Sequence, residues 1–369
     1  MKGSISKDEK EKRNSKNVDK PIQKKNNEFF WNLYFVSCIC LSIILIIFSC
    51  FVINDFNNNI KQHNLSYAWP KFSELIPSLY ILPIIMAYKT IIEYLSKGLV
   101  ESCLAKKYKY PKNEEMKKLG NIYRHKLTRH IYKITFYIAI TIFGYYVLKD
   151  FPYFPKSMLG KGYMPNMFLP GFPDSYFHER TPLFILYYNI SLAYFSNDFI
   201  FLFIMERQSD FVKMILHHVC TISLIIFSFI TNYSHVGSLV IFCHMQSDIL
   251  LHCTRFLLQT DHHLAFVGFV GISFAINFIY MRQFVFGQII YTIYKYITWK
   301  WGLITTTLWL FLVILYTLHL NWSYILVCKT IELFVTKKRI VDDINYDKLV
   351  KGNKQTNIDN KEKKSGIIN

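Results

Sequence analysis

The sequence predicts an all-α, multi-pass transmembrane bundle of about eight helices, and three observations carry that expectation. Of its 369 residues 52% are apolar and 17% aromatic, and the mean hydropathy is positive, a combination typical of membrane proteins. Apolar windows long enough to cross roughly 30 Å of hydrocarbon recur at 30–53, 73–96, 130–148, 181–205, 212–231, 236–258, 264–293 and 302–328. The net charge of +18 lies around those windows rather than within them, since 29 of the 43 Lys and Arg fall in residues 1–27, 97–129 and 329–369. Membrane topology accounts for this basic excess, so no nucleic-acid partner is expected.

Taken in order, residues 1–28 are rich in Lys and Asn and poor in aromatics. They cannot bury enough apolar surface to fold alone and read as a disordered basic tail. Residues 29–72 hold the first apolar run, too long for a signal-peptide core and without a small-residue cleavage site, followed by a loop with the sequon Asn64-Leu65-Ser66. Residues 73–335 form the main membrane domain. Within it, 97–129 reads as a basic loop, and 149–180 as an ordered aromatic loop at the membrane interface, punctuated by five Pro and three Gly. Residues 336–369 read as a second disordered tail. Eight spans put both ends on one side, which the positive-inside rule makes cytosolic. Arg207, Lys213 and Arg255 share that side, and only eight basic residues fall opposite. Seven of the eight Cys lie in apolar runs, where they read as small buried residues rather than a disulfide framework.

Ionisable groups inside a membrane helix are costly and tend to face a polar cavity or a partner. Here they cluster in two successive windows. His244, Asp248 and His252 recur every four residues, a spacing that stacks side chains on one helix face, with Ser247 and Arg255 beside them. The preceding window offers His217 and His218, with Thr221 one turn on. Imidazoles beside a carboxylate supply a nucleophile, a base and an orienting charge, which suits proton transfer or acyl transfer. No G-x-S-x-G elbow marks a serine hydrolase. Metal binding is the rival chemistry, since all five groups are competent ligands. Neighbouring His217 and His218 point about 100° apart, however, and do not readily share one ion, so no metal is expected.

The run DFVKMILHHVCT, the segment SFITNYSHVGSL and the stretch HMQSDILLH follow one another between Asp210 and His252. In order and spacing they resemble the signature of the longevity-assurance ceramide synthases, within the TLC-domain group. The likeness extends to Leu169–Pro173, to Tyr187 and Tyr188, to Asn277 and Arg282, and to Leu318-His319-Leu320-Asn321-Trp322, covering roughly residues 75–335. It implies seven family helices, six of them ringed around a lipid-sized cavity, after one additional N-terminal helix.

Carried over by position, the likeness makes His217, His218, His244 and Asp248 catalytic, with Thr221, Asn232, His252, Asn277 and Arg282 around the substrates, while the basic Arg207, Lys213 and Arg255 would lie near the acyl-CoA phosphates on the cytosolic side. Two positions depart from the pattern: Met245 stands where the family has its first aspartate, and His252 where it has glutamate. His252 would then restore a proton acceptor one turn from Asp248. The implied activity is sphingoid-base N-acyl transfer, with acyl-CoA as co-substrate and no bound cofactor. His217 would serve as nucleophile and His218 as base. The implied setting is the endoplasmic reticulum membrane with both termini cytosolic, and the implied partners are the long-chain base, membrane lipid and a homo- or heterodimer mate. Met245 keeps a non-enzymatic lipid-binding or lipid-sensing role open, and the intramembrane His and Asp also suit a proton-coupled transporter.

Overall fold

The computed structural model describes residues 70–104, 106–110, 114–168, 181–204, 210–260, 262–296 and 302–336, with six further helical residues between 40 and 54. Most of the first expected span, the sequon, both tails, Leu169–Pro173 and Arg207 lie outside the described residues. The described residues form helices joined by short turns. In chain order these are α1 (Pro77–Leu95), α2 (Lys97–Cys103), α3 (Glu114–Leu148), α4 (Pro182–Ile204), α5 (Phe211–Ile230), α6 (Ser234–Leu258), α7 (Leu264–Ile279), α8 (Phe286–Tyr296) and α9 (Gly302–Thr336). Among the described residues, six helical stretches are long and apolar enough to cross a bilayer: Phe72–Leu95, Met116–Leu148, Phe211–Ile230, Ser234–Leu258, Ala265–Tyr296 and Leu303–Glu332. At 23 residues α4 has the length as well, and it buries Tyr187, Tyr188, Asn189, Tyr194 and Asn197. The chain is a multi-pass membrane protein.

Burial separates inner helices from outer ones. In their most apolar windows α5 is 72% and α6 67% buried, against 22–44% for the other four spans. The outer helices instead expose large apolar side chains such as Leu79, Ile84, Phe269, Ile276 and Phe284, the surface a helix needs when its solvent is lipid. α6 packs most extensively on α3 and also contacts α5 and α7, while α9 closes against α5 and α7.

Local chemistry fixes the joints. Pro77 opens α1 at a position where a missing N–H costs nothing. The buried Asn189 of α4 accepts from Ser78 N at 2.9 Å and donates to Glu74 O at 2.9 Å, satisfying backbone groups that the helix start leaves open. Between α5 and α6 the chain turns within three residues. Asn232 takes φ 63° there, the left-handed conformation that Asn tolerates at helix ends.

The expected basic loop at 97–129 is instead largely helical. α2, a one-turn helix at Lys106–Lys109 and the first turns of α3 occupy it. At 35 residues α3 is about 52 Å long and outruns the hydrocarbon, so charge does not end it. Arg124 of α3 grips Glu101 of α2 in a fork at 2.8 and 3.0 Å and holds that carboxyl below the ordinary carboxylate range. The described part of the aromatic loop, 149–168, folds inward rather than lying along the interface. Tyr153, Phe154, Met158, Met164 and Met167 join the core at one end of the bundle.

Candidate functional site

The site is centred on Arg282. A π-helical stretch, Tyr280–Val285, interrupts the path from α7 to α8, and the wider turn rephases the helix so that this cation points into the bundle. Its guanidinium, 3% exposed, donates to Asp248 Oδ1 at 2.5 Å, Ser247 Oγ at 2.7 Å, His319 Nε2 at 3.0 Å and the His244 carbonyl at 3.2 Å. Phe278 lies beneath the cation, 5.4 Å from it. A buried charge is tolerable only when paired and hydrogen-bonded, and this one is both.

The partners of Arg282 define the imidazole chemistry. A guanidinium can only donate, so His319 Nε2 presents a lone pair and the neutral ring carries its proton on Nδ1. His244 Nδ1 donates to the Val240 carbonyl at 2.7 Å, which leaves a lone pair on His244 Nε2 when that ring is neutral. The two Nε2 atoms face each other at 3.2 Å. One proton shared between the rings makes that contact a hydrogen bond, so the pair is built to accept a proton from a reacting group. Asp248 balances the charge of the guanidinium beside the pair.

His217 completes the cluster from α5. Its ring lies 6.1 Å from those of both His244 and His319 and 5.4 Å from Trp322. His218, 5.5 Å from His217 between ring centres, faces Phe195 and Phe199 of α4 instead. Nδ1 of each ring is buried without a hydrogen-bond partner. The helical pitch separates the two by direction, as expected. Among the described residues no group of three His, Cys, Asp or Glu could hold a metal ion.

Beside the cluster lies an apolar cavity lined by residues of α4, α5, α6, α8 and α9. His244 and Thr221 are at its wall, and most of the remaining lining is Leu, Ile and Val. Thr221 follows His217 by one turn on the same face of α5.

With this geometry in view, comparison with known proteins is informative. Residues 126–328 match the TLC domain family. The chain belongs to that family. Its relatives include ASC1-like protein 3 of Oryza sativa subsp. japonica, 24% identical over 52% of this chain and 62% of the rice protein. Ceramide synthase 4 of Bos taurus is 29% identical over 47% of this chain and 45% of its own length. A sphingosine N-acyltransferase of Schizosaccharomyces pombe is 23% identical over 68% and 60%. The matches thus span from under half to about three fifths of these relatives.

All the residues of the cluster fall inside the TLC domain, but the domain does not gather every position expected at its site. His217, His244, Asp248 and Arg282 converge, and Thr221 joins them at the cavity. His252 does not. Its Nδ1 meets His130 Nδ1 of α3 at 3.2 Å and its ring stacks on Tyr137 at 5.5 Å, so it is not an acceptor beside Asp248. Asn232 makes the α5–α6 turn. Lys213 donates to Asn321 Oδ1 at 2.6 Å, tying α5 to α9, and Arg255 occupies the last turn of α6. The Asn277 side chain makes no hydrogen bond with the cluster. Met245 is 0% exposed and packs in the apolar core, so Asp248 is the carboxylate that meets Arg282.

Two elements of this TLC domain were not anticipated as site residues. One is His319, central to the cluster. The other is an ion pair inside the membrane, Lys133 Nζ to Asp198 Oδ2 at 2.7 Å, with 20% and 12% of the side chains exposed, linking α3 to α4. Asp198→Ala is expected to destabilise the protein by about 3–5 kcal/mol, because Lys133 is left buried and unpaired. Replacing the pair together, Lys133→Met with Asp198→Leu, should recover most of that loss. Thermal unfolding in detergent would show it, and equal losses in the single and double variants would refute the pairing argument.

Proposed function

We propose that this protein is a sphingoid-base N-acyltransferase of the endoplasmic reticulum membrane, with both termini cytosolic, that moves a fatty acyl group from acyl-CoA to the amine of a long-chain base. The observation carrying this reading is the juxtaposition of His217 and the His244–His319 pair with an apolar cavity of fatty-chain character. The names of the related ceramide synthases and sphingosine N-acyltransferase agree with it.

In this reading His217 attacks the thioester carbonyl, forming a C–N bond as the C–S bond breaks and CoA leaves as thiolate. The amine of the base then attacks the acyl-imidazole and releases His217. His218, adjacent to His217 on α5, takes the amine proton as general base. The His244–His319 pair and the Arg282–Asp248 pair stabilise the charge that develops where water is excluded. Lys213, in the first turn of α5, and Arg255, in the last turn of α6, are suited to hold the phosphates of CoA together with Arg207.

The test is direct. Purified protein supplied with sphinganine and palmitoyl-CoA should yield the amide by mass spectrometry, with free thiol released in equal amount. The His217→Ala, His218→Ala double variant should yield neither. Met245 favours one other reading, a lipid-binding protein without turnover, which predicts lipid bound to the purified chain and no amide with any thioester.

A further inference from the structure

The ion pair that joins α3 to α4 lies beside His218. The ring of His218 meets that of Phe195 at 6.5 Å and that of Phe199 at 6.1 Å between centres. Asp198 follows Phe195 by three residues, the spacing of neighbours on one helix face, which places its carboxylate at the edge of the α4 surface that His218 covers. Lys133 reaches over from α3 to Asp198 Oδ2 at 2.7 Å, and both charges act on the imidazole. His218 is 4% exposed, with Nδ1 buried and without a hydrogen-bond partner. The other ionisable groups nearby are engaged elsewhere. His217, its neighbour on α5, faces His244 of α6 and His319 of α9, and Asp248 of α6 is bound to Arg282. Among the described residues Asp198 is therefore the carboxylate that acts on His218.

A pair that only joined two helices could be replaced by apolar side chains at little cost, so the charge itself needs an explanation. General-base catalysis supplies one. The amine nitrogen bonds to the acyl carbon as the bond from that carbon to His217 breaks, and the amine proton passes to His218. The ring is then an imidazolium until it loses the proton to water after the amide departs. A lone cation is costly where water is excluded. We infer that Asp198 is a positioning residue whose carboxylate, kept ionised by Lys133, is the counter-charge for the proton that His218 accepts; the inference rests on the acyltransferase reading for the source of that proton. At rest the pair is neutral. With the proton on His218 the three groups form a cation–anion–cation arrangement across α3, α4 and α5.

The acid limb of the rate profile tests this. A base works only while neutral, and a carboxylate nearby makes an imidazole hold its proton more tightly. Asp198→Asn should therefore move the acid limb of kcat/KM to lower pH by about 1 unit. It should also lower the maximal rate about 3- to 10-fold, because a weaker base removes the amine proton more slowly. Asp198→Glu, which keeps the charge, should return the limb to the wild-type pH. The Lys133→Met, Asp198→Leu double variant should regain stability and still shift the limb in the same direction as Asp198→Asn, which a purely structural pair would not do. Histidine NMR of the purified protein, with the His218 signal identified by its loss in His218→Asn, should show the same displacement without any turnover. A rate limb and an NMR titration unmoved in both Asp198→Asn and the double variant would overturn the inference. If no amide forms with any thioester, the acyltransferase reading falls, and the NMR titration alone decides whether Asp198 is coupled to His218.

Discussion

Replacing His217 with Asn is expected to lower acyl transfer by about 10³-fold or more while leaving the protein folded and able to bind acyl-CoA. Asn has nearly the shape of the imidazole and fills the same space against His244, His319 and Trp322, but its amide nitrogen has no lone pair with which to attack a thioester. His217 makes no hydrogen bond through Nδ1, so its loss orphans no buried partner on that side and stability should change little. His218→Asn should cost less, about 10²-fold, the lower end of the range for a general base. Turnover with palmitoyl-CoA, measured against thermal stability and acyl-CoA affinity, separates the two roles. If His217→Asn retained a turnover within a few-fold of the wild type, nucleophilic catalysis by this ring would be excluded.

The sequence made the membrane fold legible because length and hydropathy alone decide which stretches can cross a bilayer. It misplaced the boundary at 97–129 because charge excludes a segment from lipid without preventing it from being helical, and α3 continues well past the membrane. The imidazole and carboxylate cluster was legible for the same reason that it is costly: such residues inside an apolar window require a purpose. The four-residue spacing was less faithful as a guide to direction. At 100° per residue, eight residues bring His252 round by about 80° relative to His244, enough to turn it from α9 towards His130 on α3. His319 stands 75 residues from its partner; its lone place in the last apolar window and the Leu318–Trp322 likeness marked it, but neither tied it to His244. Lys133 and Asp198 carried the same mark, at the margins of their windows. The inward aim of Arg282 depends on the π-helical stretch, and regular periodicity does not reveal such a turn.

Arg282→Ala is expected to be the most destabilising single change near the site, at about 3–5 kcal/mol, because it leaves the Asp248 carboxylate buried without its counter-charge. It also removes donors from Ser247, His319 and the His244 carbonyl. Arg282→Lys should not rescue it, since one ammonium cannot reproduce the planar fork that reaches four acceptors. Structure and chemistry can then be separated by removing both charges. Arg282→Leu with Asp248→Leu should regain most of the lost stability, because an apolar pair of similar volume replaces a buried ion pair at little net cost. The same double variant should remain inactive, because His319 Nε2 loses its donor and its tautomer is no longer fixed. A variant that recovered both stability and turnover would show that the guanidinium only holds the helices together. Recovery of stability alone would assign it to fixing the protonation states on which the transfer depends.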